Sequence, residues 1–306
     1  MAFQFMNSIY EKAKKNVKTI AIPEVTNEYM IKAAAKATAD GIANIILVGN
    51  PDDVTATAEK AGVDVSGIRV VDVNDAAYKE ELLERYDASS DKAMPKSFVK
   101  KRIDHPLYLA TLLQAVGEAD GTLAGVDTTT YEFVLAAKSI IGMQPNCPTA
   151  SGLLIEEIEG FAGDQGNLIG MSDGAVCIQP TVEQHAGIAI SSCETFETLT
   201  GTEAKCAFLS FSTDGSGGLS EPVKKVREAV ALAQQLRPDL KIDGEFQADA
   251  AAANIGSKLV QRLANNVQVY GPIYQGFRLP ILDCSRSDTD VELYNNVALL
   301  AVMAGK

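Results

Sequence analysis

An apolar run over residues 205–211 passes directly into Ser212, Thr213, Asp214, Gly215, Ser216, Gly217 and Gly218, and a helical pattern resumes at Glu221. Strand, glycine- and serine-rich loop, helix is an arrangement that gathers anions. Backbone N–H groups at a helix start point outward with the positive end of the dipole, and glycines let an anion come close. The Ser212, Thr213 and Ser216 hydroxyls add donors. The loop lacks the Gly-Lys-Ser/Thr ending of a P-loop and does not spell G-x-G-x-x-G. It reads either as an anion cradle or as an ordinary turn.

A second constellation, Asp283-Cys284-Ser285-Arg286-Ser287-Asp288, lies between an apolar strand and a helix. An arginine flanked by hydroxyls at such a junction suits a phosphate held by charge-assisted hydrogen bonds. It equally suits a helix start, with Ser287 or Asp288 capping and Arg286 in a surface ion pair. Asp127-Thr128-Thr129-Thr130 before a further helix reads as an N-cap, with a ligand contact as the alternative. His105 and His185 are isolated and read as packing or surface residues. No His, Asp and Ser stand at a spacing that suggests a hydrolase triad. Cys284, beside Arg286, reads as a buried inert thiol rather than a reactive one.

These loops need elements to hold them, and the chain supplies them by alternation. Residues 19–22, 44–48, 69–73 and 122–126 are apolar, β-branched runs, and they alternate with helical patterns over 28–39, 75–85, 107–116 and 131–141. Such alternation builds βαβ units around a largely parallel sheet. Residues 142–152 hold two prolines, an Asn and two glycines, and suit a hinge. Beyond it the pattern predicts strands near 153–155, 167–171, 175–179, 205–211, 241–245, 270–277 and 279–282. Helices are expected over 181–198, 221–236, 250–263 and 289–304. The expected architecture is α/β, two domains with largely parallel sheets flanked by helices.

The 306 residues are 46% apolar and 22% charged, with a net charge of −13. That is enough chain for one large or two medium domains. The acidic balance disfavours nucleic acid and anionic membranes as partners. An anionic small molecule would need a locally built site, and the chain has only eight arginines to build it from. No apolar run reaches the roughly 18 residues that span a bilayer, and the N-terminus resembles neither a signal nor a transit peptide. The expected location is cytoplasmic. Five scattered cysteines without a C-x-x-C pair predict reduced thiols and no metal site.

Residues 209–217 (LSFSTDGSG), 223–226, 238–240 and 242–251 (IDGEFQADAA) together resemble a signature of the phosphate acetyltransferase (phosphotransacetylase) family. So do 254–263 (NIGSKLVQRL), 271–276 (GPIYQG) and 283–286, while 118–121 (EADG), Thr129-Thr130 and 20–24 resemble its first-domain motifs. The order is collinear over essentially the whole chain. The resemblance implies a first domain of residues 1–145 plus 276–306 and a second of 146–275, with the active-site cleft between them and a homodimer as the assembly. It implies the reversible reaction of acetyl-CoA and phosphate to acetyl phosphate and CoA, with CoA as substrate and no cofactor. A carboxylate takes the thiol proton, a serine donates to the oxyanion, and arginines hold phosphate.

Carried over by position, the family's Ser-Arg pair falls on Ser285 and Arg286 and its catalytic aspartate on Glu292, with Asp290 close enough to substitute. An upstream phosphate arginine falls on Arg85. The substrate and phosphate side then comprises Arg85, Thr129, Thr130, Ser212, Thr213, Gly215, Ser216 and Asn254. Three departures stand out. Leu135-Ala136 occupies the place of an Arg-Pro pair, Ser287 that of a glycine, and after Ala253 roughly thirty residues, about one βα unit, are missing. The departures leave a second expectation beside the enzyme: a non-catalytic relative that binds CoA or acyl phosphate or serves a regulatory or structural role.

Overall fold

The computed structural model describes residues 4–145, 147–159, 166–174, 176–213, 215–218, 220–247 and 267–305. The chain divides into two units, one of Met6–Gly142 with Phe277–Lys306 and the other of Met1–Phe5 with Met143–Gly276.

The first unit carries a five-stranded parallel sheet. Its strands are β1 (Lys18–Ile22), β2 (Ala43–Gly49), β3 (Arg69–Asp72), β4 (Gly121–Ala124) and β10 (Ile281–Asp283), in the order β10-β4-β1-β2-β3. Every pairing is parallel, with Ile20 opposite Ile45 and Leu282 opposite Leu123. Ile20, Ile22, Leu47, Val48, Leu123 and Leu282 are all buried, as expected of a sheet covered on both faces. Helices α4 (Ala76–Ala88), α5 (Lys96–Lys100), α6 (Pro106–Ala115) and α7 (Thr130–Ile140) cover one face, where Ala21, Ile46, Val48 and Val71 meet Leu82, Tyr86, Val99, Leu112 and Ile140. Helix α2 (Glu28–Ala39) packs with the last helix, α10 (Asp290–Met303), and with α3 (Pro51–Ala61).

Each parallel strand feeds a helix that runs back against it, so helix N-termini collect at the carboxyl edge of the sheet. Asn27 caps α2 there, accepting from the Tyr29 and Met30 amides. Thr129 and Thr289 open α7 and α10 with capping boxes completed by Glu132 and Glu292.

In the second unit, β5 (Ser151–Ile158) pairs antiparallel with β6 (Leu168–Met171) and β9 (Val267–Gln275), a three-stranded sheet of order β6-β5-β9. Strands β7 (Lys205–Ser210) and β8 (Lys241–Gln247) form a parallel pair bridged by α9 (Glu221–Leu236), and α8 (Val182–Thr200) precedes β7. The antiparallel sheet adds an element that the alternation of apolar runs and helical patterns does not reveal. Residues 176–179, expected in a strand, are irregular chain instead. The Val176 and Cys177 amides donate to the Asp173 carboxylate, at 3.3 and 2.6 Å, and not to a ladder. The helix expected over 250–263 lies outside the described residues. Among the described residues no helix is long and apolar enough to cross a membrane.

Candidate functional site at the carboxyl edge of the parallel sheet

Strand order reverses direction at β1. Strands β2 and β3 lie on one side of it, β4 and β10 on the other. Ligands in parallel sheets sit at such a switch point, beyond the carboxyl ends of the strands. The segments found there are 23–27 after β1, 125–130 after β4 and 284–289 after β10.

Glu24 organises this edge. Its side chain is 6% exposed. Oε1 accepts the amides of Gly125, Asp127 and Thr128 at 3.0, 3.0 and 2.9 Å, and Oε2 accepts that of Val126 at 3.0 Å. Four successive N–H groups of the β4–α7 loop therefore wrap one carboxylate, and the loop emerges with Thr129 and Thr130 at the start of α7. Gly125 makes the wrap possible. Its φ is +119°, and a Cβ there would come within 2.1 Å of Asp283 Oδ1 and 2.6 Å of the Cys284 amide nitrogen.

The Thr130 hydroxyl donates to Asp283 Oδ2 at 2.6 Å, tying α7 to the end of β10. Asp283 leads into Cys284, whose amide donates to the Ala124 carbonyl at 2.7 Å. Cys284 is buried, and burial first, with Asp288 nearby, pushes its thiol pKa well up. It is the inert thiol that its apolar setting predicts. The next two residues turn outward. Ser285 is exposed, its amide donating to Asp288 Oδ2 at 3.0 Å and its hydroxyl 3.0 Å from that of Ser287. The exposed Arg286 is close enough to Glu132, in the first turn of α7, to act on its ionisation. Hydrogen bonds from Thr129 hold the Glu132 carboxyl below its ordinary range, and the charges of His105 and Arg286 add to the effect. Glu292 is exposed, and its Oε2 accepts the Thr289 amide and hydroxyl at 2.7 and 2.9 Å. Thus Thr129, Thr130, Ser285, Arg286 and Glu292 share one edge of one sheet, at the N-termini of α7 and α10.

Arg85 is not with them. It lies in the last turn of α4, at the amino edge of the sheet, ion-paired with Glu118 and donating to the Val116 carbonyl at 3.1 Å. Glu118 also takes Arg69 at 2.6 Å and the Tyr78 hydroxyl at 2.5 Å. Burial raises the Glu118 pKa, but the bonds from Tyr78, Arg69 and Arg85 outweigh it and hold the carboxyl below its usual value. Burial, with the Glu118 bond, pushes the Tyr78 hydroxyl up to about 12. The structure therefore places Arg85 with Glu118, a residue of the segment leading into β4, and not with the segments at 125–130 and 284–289.

The loop after β7, in the second unit, has donors pointing inward. Ser212 is fully buried, and its hydroxyl donates to Glu245 Oε1 at 2.6 Å. The Gly215 amide donates to the same oxygen at 2.9 Å, and the Gly217 amide to Ser212 Oγ at 2.9 Å. Ser216 accepts from the Thr213 amide at 3.0 Å. Arg227 completes an ion pair with Glu245 Oε2 at 2.9 Å. The Ser212 bond first, then that of Gly215, holds the Glu245 carboxyl below its usual range. Of the residues inferred for the cradle, Ser212 and Gly215 hold the chain's own Glu245 on β8, while the Thr213 amide and the Ser216 hydroxyl bond to each other. Asn254 lies outside the described residues.

Sequence reasoning did not single out Glu24 as a site residue. Its signal was an acid directly after a buried parallel strand, preceded by Pro23, where the strand end faces the switch point.

Comparison with known proteins agrees with this architecture. The family model described as phosphate acetyl/butaryl transferase matches residues 4–253 and 251–301, and the chain belongs to that family. The match breaks where the shortening after Ala253 was read. A phosphate acetyltransferase of Thermoanaerobacterium thermosaccharolyticum is 33% identical over 328 aligned positions, covering 98% of this chain and 99% of the relative. Among solved structures, a phosphotransacetylase from Streptococcus pyogenes aligns with a TM-score of 0.87 at 28% identity, covering 99% of each chain. The EutD phosphotransacetylase from Staphylococcus aureus aligns at 0.82 with 30% identity, covering 98% of each.

Proposed function

We propose that this chain is a phosphate acetyltransferase, moving an acetyl group reversibly between CoA and phosphate. The observation that carries the reading is the match to phosphate acetyltransferases over nearly the full length of both chains. The grouping of Ser285, Arg286, Thr129 and Thr130 beside two helix N-termini supports it, since that is where a phosphate finds donors and a favourable dipole.

In the direction of acetyl-CoA synthesis, Glu292 accepts the thiol proton of CoA, with Asp290, two residues earlier in the same first helix turn, as the substitute. The thiolate attacks the acetyl carbonyl, Ser285 donates to the oxyanion that develops, and the carbon–oxygen bond to phosphate breaks as the new carbon–sulfur bond is completed. Arg286 holds the departing phosphate, where a charge-assisted contact has its greatest effect. CoA is a substrate here and no resident cofactor is invoked. A cytoplasmic homodimer is part of the same proposal. The free thiols of the chain suit a reducing compartment, and sedimentation at micromolar concentration tests the dimer.

A second reading, a non-catalytic protein that binds CoA or acyl phosphate, draws on Leu135 at the family's arginine position and on a Ser212 loop whose donors already hold Glu245. One assay separates the two. With acetyl phosphate and CoA, thioester formation at roughly 1–1000 per second establishes the transferase. Arg286→Ala then lowers kcat/KM by about 30-fold or more, the equivalent of ~2–3 kcal/mol. Absence of turnover with CoA bound by calorimetry establishes the binding protein.

A further inference from the structure

We infer that Glu24 is the positioning residue of the anion side of this site, setting the place of Thr129, Thr130 and, through Asp283, of Ser285 and Arg286. The inference rests on the transferase reading above and adds a residue that touches no substrate.

Three strand ends meet at this carboxylate. Glu24 follows β1; the amides it holds, those of Gly125, Val126, Asp127 and Thr128, follow β4. The same loop delivers Thr130, whose hydroxyl binds Asp283 at the end of β10. Ser285 and Arg286 are the second and third residues beyond it. A buried carboxylate taking four amides has no spare freedom, because each bond fixes one peptide plane and both oxygens are engaged on one loop. The loop in turn has no alternative partner for those donors within β structure: it lies beyond the ladder, where β4 pairs with β10 only through Ala124. Gly125 removes the slack that a side chain would need, since backbone and carboxylate atoms of residues 283 and 284 stand within 2.7 Å of where its Cβ would be. A movement of the loop is therefore transmitted to Cys284 by contact and to Asp283 by a hydrogen bond.

Burial of the helix cap residues is slight by comparison. Thr129 and Thr130 are exposed, and the Glu132 that completes the α7 cap is exposed as well. Solvent-facing caps hold a helix start but do not fix its approach to a neighbouring strand. Glu24 supplies that second constraint from inside the sheet.

The discriminating variant is Glu24→Gln. The amide retains one acceptor oxygen but presents a donor to the loop, so one or more of the four N–H groups meets another donor. Displacement of the loop by a fraction of an ångström to about one ångström lowers kcat/KM on the order of 10²-fold. The expected signature is a KM for acetyl phosphate raised about tenfold or more, a lowered kcat, and a KM for CoA within about twofold of wild type. A purely structural role would lower the active fraction and leave both Michaelis constants where they were; that result overturns the inference. If Glu24→Gln does not fold, Glu24→Asp carries the same test, since it keeps both acceptor oxygens one methylene further back, and the same shift in KM is expected in smaller measure. Wild-type protein without turnover overturns the transferase reading and the inference with it. Wild-type turnover with unshifted Michaelis constants in both variants overturns the inference alone.

Discussion

Ser212 and Glu245, 33 residues apart, share a hydrogen bond of 2.6 Å in which the serine donates, and the Gly217 amide points back at the serine oxygen. The loop after β7 thus closes around a carboxylate from the neighbouring strand, as anion-binding loops close around phosphate.

Removing the hydroxyl tests that closure. Ser212→Ala leaves the Gly217 amide and the Glu245 carboxylate each without one partner, and the site is fully buried. Such a loss costs roughly 1–3 kcal/mol, which urea denaturation resolves. Ser212→Ala with unchanged stability would mean that the loop does not depend on this bond.

Leu135 stands where the family resemblance implies an arginine. It is 37% exposed on α7, one turn after Tyr131, which is 75% exposed. An arginine introduced there can keep its charge in water, so the penalty expected of a buried position does not arise, and stability should change by less than about 0.5 kcal/mol. Leu135→Arg is expected to lower the KM for acetyl phosphate about tenfold, the scale of one charge-assisted contact. Kinetics and thermal melts on the same preparation check both parts. An unchanged KM in a stable variant places residue 135 out of reach of the phosphate.

His185, on α8, lies with its ring centroid 4.7 Å from that of Phe208 on β7. Burial, with Lys225 nearby, lowers its pKa below the ordinary value of 6.5. The native ring therefore binds fewer protons than the unfolded one in the window just below pH 6.5. Stability supplied by the neutral ring is present above that value and is lost as pH falls through it. Unfolding free energies measured in urea between pH 7.5 and 5.5 should decline by less than ~1.4 kcal/mol per unit from this group. His185→Phe keeps the ring contact and should flatten that part of the profile; an identical profile in the variant would assign the decline to carboxylates.

Much of the fold was legible in the sequence. Apolar β-branched runs over 19–22, 44–48 and 69–73 became β1, β2 and β3, because a strand covered on both faces has no polar alternation to confuse the pattern. The expected helices over 28–39 and 221–236 coincide with α2 and α9. What stayed hidden was non-local. Residues 176–179 have strand composition, but their amides belong to Asp173, and only the chain path reveals that. The antiparallel pairing of β5 with β9 joins segments more than a hundred residues apart, and no local periodicity carries such information. The chemistry followed the same rule. Ser285 and Arg286 were visible as an arginine among hydroxyls at a strand end. The resident anion of the Ser212 loop, the Glu118 partner of Arg85 and the loop held by Glu24 each depend on a residue from another element.

The first sheet is assembled from both ends of the chain, and that ordering constrains how the protein can be made. Strands β1 to β4 are synthesised before Gly142, while β10 and α10 follow the whole of the second unit, and 153 residues separate Thr130 from Asp283. A growing polypeptide must carry β4 as an open edge until residues 281–303 leave the ribosome, with the apolar surface that α10 later covers still bare. Unpaired strand edges of this kind recruit other chains. Ser285 and Arg286, to which the proposed function gives the phosphate, travel on the segment that ends the exposure. Translation therefore delivers the closing strand and the proposed phosphate contacts in a single event.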